Sequence, residues 1–178
     1  MNLRKQLLEA HSRANADLVQ AHVVAHPESL PELMACFFSD EVIVAQRASQ
    51  VVGNLGRAHP DWLEPYWSEM VAAVVTPVHS ATRRSVTRYF SELKLEIPTT
   101  LEKELVDHCT NFVADPNEDV AIGAFSMTFV ADRAAQYPQH AQRLEEALIL
   151  LIPKRSTGFQ NRGRKVLKQI EKLGLGRR

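Results

Sequence analysis

The chain has few of the residues and motifs on which catalytic and metal sites are usually built. Cys36 and Cys109 are its only cysteines, too few for a disulfide framework or a thiolate metal site. His22 and His26 stand four apart, within reach of one metal ion on a helix, yet no third ligand accompanies them and no HExxH occurs. No metal and no cofactor are therefore expected. P-loop, GxGxxG and GxSxG motifs are absent. Carboxylates are plentiful but scattered, with no convergent pair. His108 and Cys109 are adjacent, and neighbours on a helix diverge by about 100°, so they form no dyad. Binding is the expectation, not catalysis.

There is also no charge of one sign. Lys plus Arg number 21 and Asp plus Glu number 21, so whole-chain charge argues neither for nor against an anionic partner. No apolar run approaches a membrane span; the longest, Ala147 to Ile152, stops at Pro153. Met1 to Gln6 leads into no long apolar stretch, so no secretory signal and no membrane association are expected. A cytoplasmic setting fits, with both thiols free and packed as small hydrophobes. The strict alternation of half-buried strands is scarce, which points to an all-α fold.

What the chain does have is a repeat. Val44, Ala48, Val52 and Leu55 are spaced i, i+4, i+8, i+11. Thr82, Val86, Phe90 and Leu93 copy that spacing, as do Val120, Ala124, Thr128 and Ala131, and then Phe159, Gly163, Leu167 and Ile170. The quartets begin 38, 38 and 39 residues apart. Each marks the expected buried stripe of one helix. A period of about 40 with two helices per unit is the mark of an α-solenoid. Two further columns lie on the preceding helices: Leu33, Val71, Cys109 and Leu148, then Phe37, Val75, Val113 and Ile152.

Each unit reads as helix A, a turn, helix B and a stop. Prolines 60, 98 and 138 close the first three units, because proline cannot extend a helix from within. Gly174-Leu175-Gly176 closes the fourth. The expected architecture is a single domain over 1–178, a right-handed α-solenoid of about four helix pairs. Residues 1–27 form an N-terminal cap, and 28–60, 61–98, 99–138 and 139–174 are the repeats. Asp40 is the expected N-cap of the first B helix. The polar segment Lys154–Gly163 is expected to be a loop, with the last B helix starting late.

The quartets resemble the second helix of HEAT-like repeats. Ala58-His59-Pro60-Asp61-Trp62-Leu63-Glu64-Pro65-Tyr66 is similar to a junction found in a group of small bacterial HEAT-like proteins of unassigned function. The resemblance spans about Arg13 to Lys172. The Asp-Val-Arg run common in HEAT second helices is absent, with Val44-Ala45 and Val120-Ala121 in its place. The resemblance implies a scaffold or adaptor, and implies that B helices line a concave face. Some HEAT-like proteins are DNA glycosylases that use tryptophans and an aspartate in a basic groove. Here Trp62 and Trp67 fall on an A helix, where packing at a junction is expected of them.

Charge is sorted by helix. The A segments are acidic and most B segments basic, above all the last, with Lys154, Arg155, Arg162, Arg164, Lys165, Lys168 and Lys172. Facing away from the quartets, the candidate partner-binding residues are Gln50, Asn54, Arg84, Arg88, Ser126, Phe129, Arg133, Arg164, Lys165 and Lys168. That surface would be polar with basic ends and an apolar middle around Phe129. The expected partner is a protein or peptide with acidic groups, arginine being suited to clamp carboxylates. A nucleic-acid binder, glycosylase-like in the extreme, is the alternative. A monomer or weak oligomer is expected.

Overall fold

A computed structural model describes residues 1–176. Among them are ten α-helices, three short 3-10 turns and no strand, so the chain is all-α. No helix among the described residues is long and apolar enough to cross a membrane. The helices group into two compact units, Met1–Leu95 and a second that begins at Glu96.

The first unit holds α1 (Leu3–Glu9), α2 (Arg13–Ala25), α3 (Leu30–Phe37), α4 (Val42–Ala58), α5 (Trp67–Ala73) and α6 (Ser80–Glu92). The Asn2 side chain accepts from the Lys5 amide at 2.7 Å, and Ser12 accepts from that of Asn15 at 3.2 Å. These caps satisfy amides that a helix start leaves without partners. A 3-10 turn opening on proline, Pro27 or Pro60, leads into α3 and α5. Asp40 is not the cap of α4. Glu41 stands there, and the Ser39 hydroxyl accepts from its amide at 3.1 Å, closing the turn one residue earlier. At the centre of the unit, α4 packs against α1, α2, α3 and α6.

The second unit holds α7 (Thr99–Ala114), α8 (Val120–Asp132), α9 (Pro138–Leu151) and α10 (Thr157–Lys172). Asp119 caps α8 by accepting from the Ala121 amide at 2.9 Å. The expected loop over Lys154–Gly163 is mostly helix, because α10 already starts at Thr157. Hydrogen bonds order this polar stretch. Arg155 donates to the carbonyls of Pro116 and Glu118, the latter at 2.6 Å, and Gln160 Nε2 donates to the Arg155 carbonyl at 2.9 Å.

The first quartet is buried throughout. In the second, Thr82, Val86 and Phe90 are buried and Leu93, beyond the end of α6, is half-buried. The third is out of register. Val120 is 39% exposed, Ala124 and Thr128 are half-buried and Ala131 alone of the four is buried, while the core side carries Ile122, Gly123, Ser126, Met127, Phe129 and Val130. The buried pairs of α4 (44/45, 48/49, 51/52) recur in α8 at 122/123, 126/127 and 129/130. The interval over two repeats is therefore 78 residues, not the 76 that two steps of 38 would give. A slip of two residues turns a helix by about 200°, so it exchanges the inner and outer faces. In α10, Val166 is buried and Leu167 only half-buried.

On the A helices, Leu33, Val71, Cys109 and Leu148 are all buried. Val75 departs from its column at 47% exposure, since α5 has already ended at Ala73. Both cysteines are buried and unbonded. Burial pushes the Cys109 thiol up to about 12, with the neighbouring Ser126 hydroxyl a smaller, opposite influence.

Candidate functional site

The ten candidate residues meet different fates. In the first unit, Gln50 and Asn54 lie half-buried along α4, and Arg84 is exposed on α6. Asn54 accepts from Arg57 at 2.5 Å, and Arg88 pairs with Glu92 at 2.9 Å one turn on. In the second unit, Ser126 and Phe129 are 0% exposed and line no surface. Arg133 lies 3.8 Å over the Phe129 ring and donates to Glu102 at 2.7 Å, both partners being largely shielded from water. Glu102 also accepts from the Tyr137 hydroxyl at 3.1 Å. The apolar middle of the expected face is therefore core, and its arginine ties the end of α8 to α7.

Several arginines of the basic B segments are spent inside the protein. Arg47 donates to the Leu7 carbonyl at 2.7 Å. Arg83 donates to the carbonyls of Val74 and Val75 at 2.7 and 2.9 Å. Arg155 holds two more, as described above. Each guanidinium satisfies carbonyls in the last turn of a helix, beyond a helix end or in a loop, which would otherwise lack partners. A count of charges along the sequence registers these arginines but not the carbonyls that use them.

What remains is a basic strip on α10. Lys165, Lys168 and Lys172 fall at i, i+3 and i+7 on one face, and all are exposed. None of them makes an ion pair or side-chain hydrogen bond among the described residues. They border a cleft of about 580 Å³ between α10 and the end of α8, lined also by Asp132, Gln169 and Leu173. Gln169 Nε2 fixes the far wall by donating to the Ala131 carbonyl and to Asp132 Oδ1, both at 3.1 Å. Arg164 is exposed on the same helix and donates to Gln160 at 3.1 Å. Sequence reasoning found Arg164, Lys165 and Lys168 but missed Lys172, whose spacing of i+7 from Lys165 was the available signal.

One arrangement resembles a catalytic relay and is not one. His140 lies between Asp107, 3.0 Å from Nε2, and Thr110 Oγ1, 3.2 Å from Nδ1. Thr110 is buried, and its hydroxyl donates to the Val106 carbonyl at 2.8 Å. A buried oxygen so held cannot attack a substrate; the trio ties α9 to α7. Trp67 is buried, donating Nε1–H to Tyr89 at 2.8 Å, and Trp62 stacks on His59 with ring centroids 4.4 Å apart. Trp62 serves the turn between α4 and α5, and Trp67 ties α5 to α6. Among the described residues no three of His, Cys, Asp and Glu are placed to hold a metal ion.

A family model for the HEAT repeat domain matches residues 3–170, and the chain belongs to that family. No curated protein and no solved structure matches the chain.

Proposed function

We propose that the chain is a non-enzymatic interaction module that holds an acidic segment of a partner protein on the α10 strip. HEAT repeats generally serve as protein-interaction scaffolds, which supports binding as the class of function. The observation that carries the site is the row of Lys165, Lys168 and Lys172 beside a cleft, none of them in an ion pair among the described residues. The competing interpretation is a solvated face that also complements the α8 C-terminus, where cations are favourable. The cleft argues for more, since a merely solvated row needs no concave wall.

Reversing all three lysines to Glu tests the proposal. These side chains are exposed, so folding should survive; surface changes usually stay within about ±0.5 kcal/mol each. Circular dichroism and thermal melting check that. Partners captured from nuclease-treated lysate by the unaltered chain, once identified, should bind the triple variant about 2 kcal/mol more weakly. Equal affinity would show the strip to be solvated surface. Capture that disappears on nuclease treatment, with affinity falling steeply in salt as counterions are released, would replace the protein partner by a nucleic acid.

A further inference from the structure

The first unit carries a second concavity of different chemistry. A cavity of about 510 Å³ opens where α3 and α5 end, lined by Phe37, Phe38, Ala73, Pro77 and Val78, with Glu69 among its walls. That volume falls in the range of ligand-sized clefts. The two turns that build it, α3–α4 and α5–α6, also gather exposed apolar side chains. Val42 and Ile43 follow the first turn at 50% and 52% exposure, and Val75 and Val78 lie in the second at 47% and 43%. Val78 lines the cavity itself, and the other three extend exposed apolar surface along the same two turns, more than the single scattered residues that are ordinary.

The charge at the cavity is of one sign. Glu69 is exposed, and no cation or hydrogen-bond donor among the described residues engages it. Arg83, which follows the cavity-lining Thr82, donates to the carbonyls of Val74 and Val75. Both α3 and α5 end at this point, and a helix C-terminus adds partial negative charge. An apolar floor beside an unneutralised carboxylate complements a large apolar side chain carried next to a cation.

We infer that this cavity docks a protein segment that inserts a Leu or Phe between α3 and α5 and sets an adjacent Lys or Arg against Glu69. The site is independent of the α10 strip, and its charge preference is opposite. An acidic segment would be repelled by Glu69, and a wholly polar one would leave the phenylalanine floor uncovered.

Three capped hexapeptides test it: GKLFKG, GELFEG and GKSSKG. Each is titrated into the full chain while the amide and methyl resonances of Ala72, Ala73 and Val78 are followed. GKLFKG should give saturable shifts confined to the cavity, and the other two should not. Glu69→Gln should weaken GKLFKG by about tenfold, as expected for a lost charge partner, with the fold unchanged by circular dichroism. Ala72→Trp should abolish binding by filling the mouth; should that variant fold poorly, Glu69→Gln and the GELFEG comparison still decide. Reversal of Lys165, Lys168 and Lys172 should leave GKLFKG binding unaltered, which separates this site from the α10 proposal. The inference is overturned if GELFEG binds as well as GKLFKG, if Glu69→Gln has no effect, or if no peptide gives saturable shifts.

Discussion

At the scale of single residues, the junction between α4 and α6 shows how closely the first unit is fitted. Tyr89 is buried against α4, and its hydroxyl accepts from Trp67 and donates to the Pro60 carbonyl at 2.6 Å. Burial pushes its phenol up to about 12. The ring reaches this position because residue 56 is a glycine. A Cβ there would lie 2.7 Å from Tyr89 Cδ2 and 3.0 Å from Leu63 Cδ1. Real carbon contacts are not that short, and Tyr89 cannot retreat without leaving Trp67 and Pro60. Gly56→Ala gains helix propensity of about 1 kcal/mol. It should nevertheless be net destabilising by about 1–3 kcal/mol, the usual cost of overpacking a filled core. Urea unfolding measures it, and a variant more stable than the parent would show that the ring moves freely.

At the scale of elements, the first A-helix column and the first B stripe were legible because each alternates apolar and polar faces at the helical period. The third B helix was not. Its sequence, Val120 to Asp132, is apolar nearly all round, with Ala121, Ile122, Ala124 and Phe125 consecutive but for one glycine. A helix without a polar face offers no periodic signal, so the neighbouring repeats' period is the only guide to its register. The two-residue slip then placed Ser126 and Phe129 outside. In the candidate site, the lysines were legible because an exposed cation looks the same in sequence and structure. The arginines were not, because their carbonyl partners lie between 8 and 40 residues away in the chain. The register has a direct test. Phe129→Ala should cost about 3–5 kcal/mol, as for other buried phenylalanines. Val120→Ser, at the position the sequence period would bury, should change stability by only about ±0.5 kcal/mol. Denaturant melts of the two variants decide; the opposite order would restore the uniform period.

At the scale of the whole molecule, the chain is two compact units, each with its own core. Phe37, Trp67 and Phe90 are buried in the first, and Phe129 and Phe159 in the second. Between α6 and α7 the chain runs through Leu93-Lys94-Leu95-Glu96-Ile97-Pro98 with no helix. Proteases cut where a stretch of backbone can be drawn into an extended form, and a helix must first unfold locally to allow that. Most exposed basic residues are protected in this sense. Arg84 lies within α6, Lys103 within α7, and Arg164, Lys165 and Lys168 within α10. Lys154 stands in a 3-10 turn, and the adjoining Arg155 is pinned by its hydrogen bonds to two carbonyls. Lys94 is exposed, lies outside any helix and precedes Leu95, a bond that trypsin accepts. Brief digestion at low trypsin should therefore make its first internal cut after Lys94. The products should be two fragments that resist further cleavage, identified by mass. A first internal cut at Arg57 or Lys154 would show that the weakest point lies within a unit, and that the connector is better protected than its lack of helix implies.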